Sequence, residues 1–254
     1  MKLLITNDDG INGQGLKPLI RSLKKLSPDV VTIVPDRERS AVSQAITLSA
    51  PIRMTKISSR TYTIDGTPTD CVYLTVLGAL PGRLPDIVIS GINRGANLSE
   101  DIVYSGTVAA AIEAALAGIK SFAISMDAYQ GNIHYETGAR FAQKFVRLLS
   151  AMKVPKGLFF NINIPNLAPG RVKGVKITKL GSRKYLDKLI KRHDPNGNPY
   201  FWLSGDEVLW KEEKNTDYSE VKKGFISITP LHLDLTAYEF IGKLKRTAGT
   251  LLTK

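Results

Sequence analysis

The chain has 254 residues, one cysteine, 43% hydrophobic residues and a formal net charge of +12. That length is near the upper limit for one hydrophobic core, and the apolar content excludes a disordered chain. Cys71 alone excludes an internal disulfide and fits a reducing, cytoplasmic setting, and no apolar run is long enough to cross a bilayer.

The chain opens with Leu3-Leu4-Ile5, a short buried strand that runs into Asn7-Asp8-Asp9-Gly10. The run before the acids is too short for a signal peptide. Leu16, Leu19, Ile20, Leu23 and Leu26 recur at helical spacing, and Val30 to Val34 forms a second strand stopped by Pro35-Asp36. Strand, helix, strand over this length predicts a right-handed crossover and a parallel sheet, and strands without alternation predict cover on both faces. Thr67-Pro68-Thr69-Asp70 predicts a helix start: Thr67 caps, Pro68 takes the first helical position and Asp70 closes the capping box, with the helix running to about Gly78. Ile87 to Ser90 reads as a strand ending at Gly91, followed by a loop rich in Gly and Asn. Ser105-Gly106-Thr107 opens an Ala-rich helix over Val108 to Leu116. Ser121 to Ser125 is a strand, His134 to Met152 an amphipathic helix and Leu158 to Ile164 a strand. Arg183 to Val221 is polar, with aromatic islands at Tyr200-Phe201-Trp202 and Trp210, and predicts hairpins or an arm. Phe225 to Thr229 is a further strand, and Ala237 to Leu252 a basic amphipathic helix. The predicted fold is α/β: a Rossmann-like three-layer α/β/α body with a mostly parallel sheet over 1–182, a hairpin arm over 183–224, and a closing strand and C-terminal helix over 225–254.

Ligand sites of open α/β sheets lie beyond the carboxyl ends of the strands. Three such ends carry unusual polar residues here. The first strand leads into Asp8 and Asp9, the second into Asp36 to Ser40, and the third into Asn93 and Asn97. Adjacent carboxylates repel, and a bound cation removes that penalty. Carboxylate, hydroxyl and amide oxygens select a hard divalent ion such as Mg²⁺ or Mn²⁺. His134, His193 and His232 are far apart in sequence and form no zinc-spaced set. At Ser105-Gly106-Thr107 a helix N-terminus offers unpaired N–H groups and a favourable dipole to an anion. A cation beside such a cradle is what phosphoryl transfer needs.

Taken singly, each feature has a plainer reading. Asn-Asp-Asp-Gly suits a turn, Ser40 a helix start, Asn93 and Asn97 left-handed turns, and Ser105 and Thr107 simple caps. Their joint placement at successive strand ends argues for a site.

The segments Ile5 to Gly10, Pro35 to Ala41, Asp65 to Val72, Ser90 to Asn97, Tyr104 to Val108 and Ser227 to Leu231 resemble, in this order, the SurE (survival protein E) family. The resemblance spans nearly the whole chain and is weakest over Arg183 to Val221. It implies a cytoplasmic, metal-dependent phosphatase of nucleoside 5′-monophosphates, and of 3′-monophosphates. It implies one divalent cation on Asp8, Asp9, Ser40 and Asn93, with Asn93, Ser105, Gly106 and Thr107 around the phosphate. Asn97, at the same strand end, joins that phosphate set. Asp8 and Asp9 are the expected catalytic pair, anchoring the metal and relaying a proton, with the division between them open. The resemblance also implies a homodimer or homotetramer built by the arm and an exchanged C-terminal segment.

Two other chemistries compete. A phosphoaspartyl enzyme usually separates its two acids by a spacer, whereas these are adjacent. The net charge suits a nucleotide sensor or RNA-binding module, but the basic residues are scattered, which disfavours nucleic acid.

Overall fold

The computed structural model describes residues 1–185, 188–204, 208–211 and 213–248. A nine-stranded sheet forms the middle layer. Its strands are β1 (Leu3–Thr6), β2 (Val30–Pro35), β3 (Met54–Ser58), β4 (Thr61–Ile64), β5 (Ile87–Arg94), β6 (Lys120–Asp127), β7 (Leu158–Pro165), β8 (Val175–Ile177) and β13 (Ile226–His232), in the spatial order β3-β4-β2-β1-β5-β6-β7-β13-β8. From β4 to β7 all neighbours are parallel, and antiparallel partners β3 and β13 flank that block.

Alternate residues of each strand feed opposite layers, as the pleat requires. Leu3, Ile5, Ile87 and Ile89 pack with α1 (Leu16–Lys24) and α4 (Tyr135–Ala151). Leu4, Val31, Ile33 and Val88 pack with α2 (Pro68–Val76) and α3 (Gly106–Leu116). Phe145 stands edge-on to both Phe122 and Phe160, at 5.1 and 5.3 Å between centroids, and locks α4 to the sheet. Among the described residues, no helix is long and apolar enough to cross a membrane.

The start of α2 is as expected. The Thr67 hydroxyl accepts the Asp70 N–H, Asp70 accepts the Thr67 N–H, and Pro68 occupies the first helical position. Several boundaries differ from the sequence reading. β5 does not stop at Gly91 but continues to Arg94 through an irregularity between Gly91 and Asn93, which re-aims the strand tip. The β3–β4 hairpin was not expected, because its strands are only five and four residues long and β3 is largely exposed. The short helix α5 (Asp217–Lys222) was also missed. It brings 213–222 back to the body, where Asp217 accepts the N–H groups of Ser99 and Gly181, both at 2.8 Å, and Val221 packs on Ala96 and Leu98.

Beyond the sheet, β10 (Lys188–His193) and β11 (Pro199–Ser204) form an exposed antiparallel hairpin, and β9 (Arg183–Tyr185) pairs with β12 (Val208–Trp210). The terminal helix α6 (Tyr238–Thr247) buries none of its residues. The side chain of Trp210 and residues 249–252 of the expected tail lie outside the described residues.

Candidate functional site

The sheet changes direction between β1 and β5: the chain moves outward from β1 to β2 and β4, then returns to β5 on the other side. That switch point is where loops diverge and leave a crevice. The tips of β1 and β5 carry the candidate acids and Asn93.

The turn after β1 is closed by Asn7. Its buried amide accepts the Gly10 N–H at 3.1 Å and donates to the Gly10 carbonyl at 2.9 Å. Gly10 has φ +75°, and a Cβ there would lie 2.6 Å from the Arg37 carbonyl carbon. Only glycine lets this turn pass against the loop after β2. That loop is pinned in return: the Arg39 N–H donates to the Asp8 carbonyl at 2.7 Å.

The two acids then part. Asp8, 4% exposed, turns to the start of α3 and accepts the Thr107 N–H at 3.2 Å and the Thr107 hydroxyl. Asp9 turns to the tip of β5 and accepts the Arg94 N–H at 3.2 Å. Neither acid has an ion-pair partner among the described residues. Burial pushes the Asp8 carboxyl up, against the lowering effect of Thr107. Burial, and then the charge of Asp8, raises Asp9 to about 6. A negatively charged pair without a counter-ion is the environment a cation relieves.

Ser105 caps α3 by accepting the Val108 N–H at 3.1 Å. A Cβ on Gly106 would come within 3.0 Å of the Asp8 Cβ and 3.2 Å of the Arg39 carbonyl, so the helix tip is in contact with the acid turn. The anion seated on the Thr107 amide here is the protein's own Asp8 carboxylate.

Among the other expected site residues, Asn93 is half-buried and donates to the Gly95 carbonyl at 2.8 Å, one position before the Arg94 amide that holds Asp9. Ser40 directly follows Arg39, is exposed, and donates its hydroxyl to Glu38 at 2.8 Å. Asn97 lies deeper. Its amide donates to Ser125, its N–H to Asn163, and its carbonyl accepts from Asn161 and Asn163, all at 2.8 to 2.9 Å.

Asn7, Arg39 and Arg94 are structural members of the site that sequence reasoning did not single out. Arg39 and Arg94 act through backbone N–H groups, which leave no residue-type signal, and Asn7 through its side-chain amide. Beside Asp9 opens a cleft of about 330 Å³ whose walls include Asn12, Gln14, Glu38, Arg94 and Tyr135. A larger cavity, about 860 Å³ between α1, α4 and the β8 edge, has one acid among its described lining residues, Glu136, which is paired with Arg21. No set of three His, Cys, Asp or Glu side chains among the described residues is placed to hold a metal. The donor chemistry on offer is therefore two carboxylates with a neighbouring hydroxyl and amide, which suits a hard oxygen-seeking cation.

The chain is similar to known proteins over nearly its whole length. The family model described as "Survival protein SurE" matches residues 3–187. A Geobacter metallireducens protein and a Legionella pneumophila (strain Corby) protein, each named 5′-nucleotidase SurE, are 43% identical to it over 245 residues, covering 96% of this chain and 96% of each relative. The crystal structure of the SurE protein from Aquifex aeolicus superposes with a TM-score of 0.87 at 41% identity, over 98% of this chain and all of that one. By sequence, by topology and by the order of its strand-tip motifs, this chain belongs to the SurE family.

Proposed function

We propose that this protein is a phosphomonoesterase that hydrolyses nucleoside 5′-monophosphates, and 3′-monophosphates, to nucleoside and phosphate with one divalent cation, Mg²⁺ or Mn²⁺. The observation that carries this is the uncompensated Asp8–Asp9 pair at the switch point, in contact with the N-terminus of α3. Relatives named 5′-nucleotidase at 43% identity support the substrate class.

Asp8, Asp9, Ser40 and Asn93 would hold the cation. When bound, it supplies Lewis-acid chemistry: it neutralises phosphate oxygens and makes water more acidic. The protein's own groups divide the remaining tasks. Thr107 fixes Asp8 from two sides, which makes Asp8 the anchor. Asp9 is held by one amide only and faces the cleft, so it is the acid free to take a proton from the attacking water. Asn93 and the Ser105-Gly106 turn stabilise charge on the phosphate oxygens, and Thr107 and Asn97 position those groups.

The direct test is phosphate release from a panel of nucleoside monophosphates after EDTA treatment, with and without added Mn²⁺ or Mg²⁺. Cation-dependent release that Asp9→Asn abolishes supports the reading. Nucleotide binding without turnover would favour a sensor and overturn it.

The same reading includes a homodimer or homotetramer in the cytoplasm. Phe201 and Trp202 on β11, and Phe240 and Leu244 on α6, stand more than half exposed, a pattern that marks association surfaces. Cys71 is buried, which fits a thiol kept reduced. Light scattering at micromolar concentration tests the assembly, and a monomer would count against it.

A further inference from the structure

The edge of the sheet opposite the acids carries a second pocket, of about 400 Å³. Its walls come from the N-terminal ends of the strands: Lys2 before β1, Val31 in β2, Arg60 and Tyr62 at β4, and the 80–83 segment that leads to β5. Lys2 and Asp8 are separated by the length of β1, on the order of 20 Å of extended chain. The pocket and the cleft beside Asp9 share no wall residue.

Lys2 is the unusual member of this pocket. It is only 7% exposed, and lysines are almost never buried unless paired. Among the described residues its ammonium has no ion-pair partner, and its one hydrogen bond goes to the Arg83 carbonyl at 2.6 Å. An ammonium carries three N–H donors, so two are left without a partner in the protein. Position fixes where they point. The Arg83 carbonyl is on the pocket wall. A Cβ on Gly82, on the same wall, would have the Lys2 Nζ at 3.9 Å as its only neighbour within 4 Å beyond the adjoining residues.

The other cations of the pocket are already neutralised. Arg60 is paired with Asp29 at 2.5 Å, and Arg83 holds both oxygens of Asp86 at 2.5 and 2.8 Å. One positive charge is left over, and it compensates one negative charge. A phosphate monoester, close to doubly charged at neutral pH, would bring a charge in excess, whereas a carboxylate would not. Val31, Leu80, Pro81 and the half-buried Tyr62 ring complete the walls with apolar surface, which suits a hydrocarbon or aryl body.

We propose that this pocket binds a small organic monocarboxylate, with its carboxylate on the Lys2 ammonium and its apolar body against Tyr62 and Leu80. The site is separate from the acid pair and does not depend on the hydrolysis reading. Removing one partner of a buried charged pair is costly, so the ammonium should discriminate sharply between a carboxylate and its neutral isostere.

The test is calorimetric titration of benzoate, and of neutral benzamide, into the Mn²⁺-loaded protein in a carboxylate-free buffer. One benzoate per chain is expected, with benzamide weaker by at least about tenfold. Lys2→Met keeps the apolar stem and removes the charge, so it should weaken benzoate by at least about tenfold and leave benzamide unmoved. Ser59→Asp puts a carboxylate on the exposed rim of the pocket. It should weaken benzoate in the same direction, and it serves if Lys2→Met does not fold. In Asp9→Asn, which impairs the cation site, benzoate should bind as in the wild type, and doubly charged phenylphosphonate should bind at least about tenfold more weakly than benzoate. No benzoate uptake by the wild type makes Lys2 a structural staple of the 80–83 segment and overturns the site. Equal affinity for benzamide, or benzoate affinity unchanged in the pocket variants, overturns it as well. Benzoate lost in Asp9→Asn moves the ligand to the acids, and phenylphosphonate bound as tightly as benzoate overturns the carboxylate class.

Discussion

The body and the arm use their apolar residues in opposite ways. In the body, Leu3, Ile5, Ile89 and Phe122 are fully buried, and their burial holds the strand tips that carry Asp8, Asp9 and Asn93 in register. In the arm and the terminal helix, Trp202 is 59% exposed, Leu203 85% and Leu244 60%, so these side chains contribute little to folding of the single chain. Body residues should therefore govern stability and chemistry together, and arm residues should govern neither within one protomer.

The largest effect belongs to the core. Phe122→Ala should cost about 3–5 kcal/mol in a urea titration, since it deletes a fully buried ring stacked edge-on to Phe145. A cost no larger than that of an arm substitution would erase the contrast. Next comes Asp9→Asn, which should lower kcat by at least about 10²-fold without lowering the urea midpoint. A loss of fold would show that the acid turn is part of the core rather than mounted on it.

A cation sharpens the comparison further. In the folded protein Asp9 keeps its proton up to about pH 6, against an ordinary 3.8. Between those values folding takes up a proton, so this group's contribution to stability falls as pH rises through that window. Without cation, the melting temperature should show that decline, and Asp9→Asn should flatten it. At pH 7.5, Mn²⁺ at about a hundred times its dissociation constant should add ~2.7 kcal/mol, and much less at pH 5. A cation effect independent of pH would place the ion away from the acids.

Gly106→Ala should act on chemistry more than on stability. The new Cβ would sit 3.0 Å from the Asp8 Cβ and 3.2 Å from the Arg39 carbonyl. Displacing the helix tip from the acids should reduce kcat by about tenfold, while alanine's helix preference offsets part of the strain. The smallest effect is expected from Trp202→Ala: within about 0.5 kcal/mol for the isolated chain, but a lower oligomer mass by light scattering. An unchanged mass would remove the arm from assembly.

Elements set by local chemistry were legible in advance. The capping box at Thr67 and Asp70, with Pro68 between them, marks the start of α2 without reference to the rest of the fold. The largely apolar runs of β1, β2, β5, β6 and β7, broken only by short polar residues such as Thr32, Ser121 and Asn161, announce strands buried on both faces. Elements held by distant partners were not legible. The β3–β4 hairpin exists because β4 adds to the edge of β2, and α5 because Asp217 collects N–H groups from Ser99 and Gly181. For the acid pair, residue type and position were readable, but the different setting of each acid was not. It depends on which neighbour each carboxylate meets, Thr107 for Asp8 and the Arg94 amide for Asp9.

Periodicity, caps and strand-end polar residues are local properties, and the chain alone was enough to establish the α/β alternation and the family. The burial that raises Asp9, the contact of Gly106 with Asp8 and the setting of the Lys2 ammonium depend on groups tens of residues apart meeting within a few ångströms. Those meetings are set by packing, because the free energy of a buried polar group depends on its neighbours in space rather than on its neighbours in the chain.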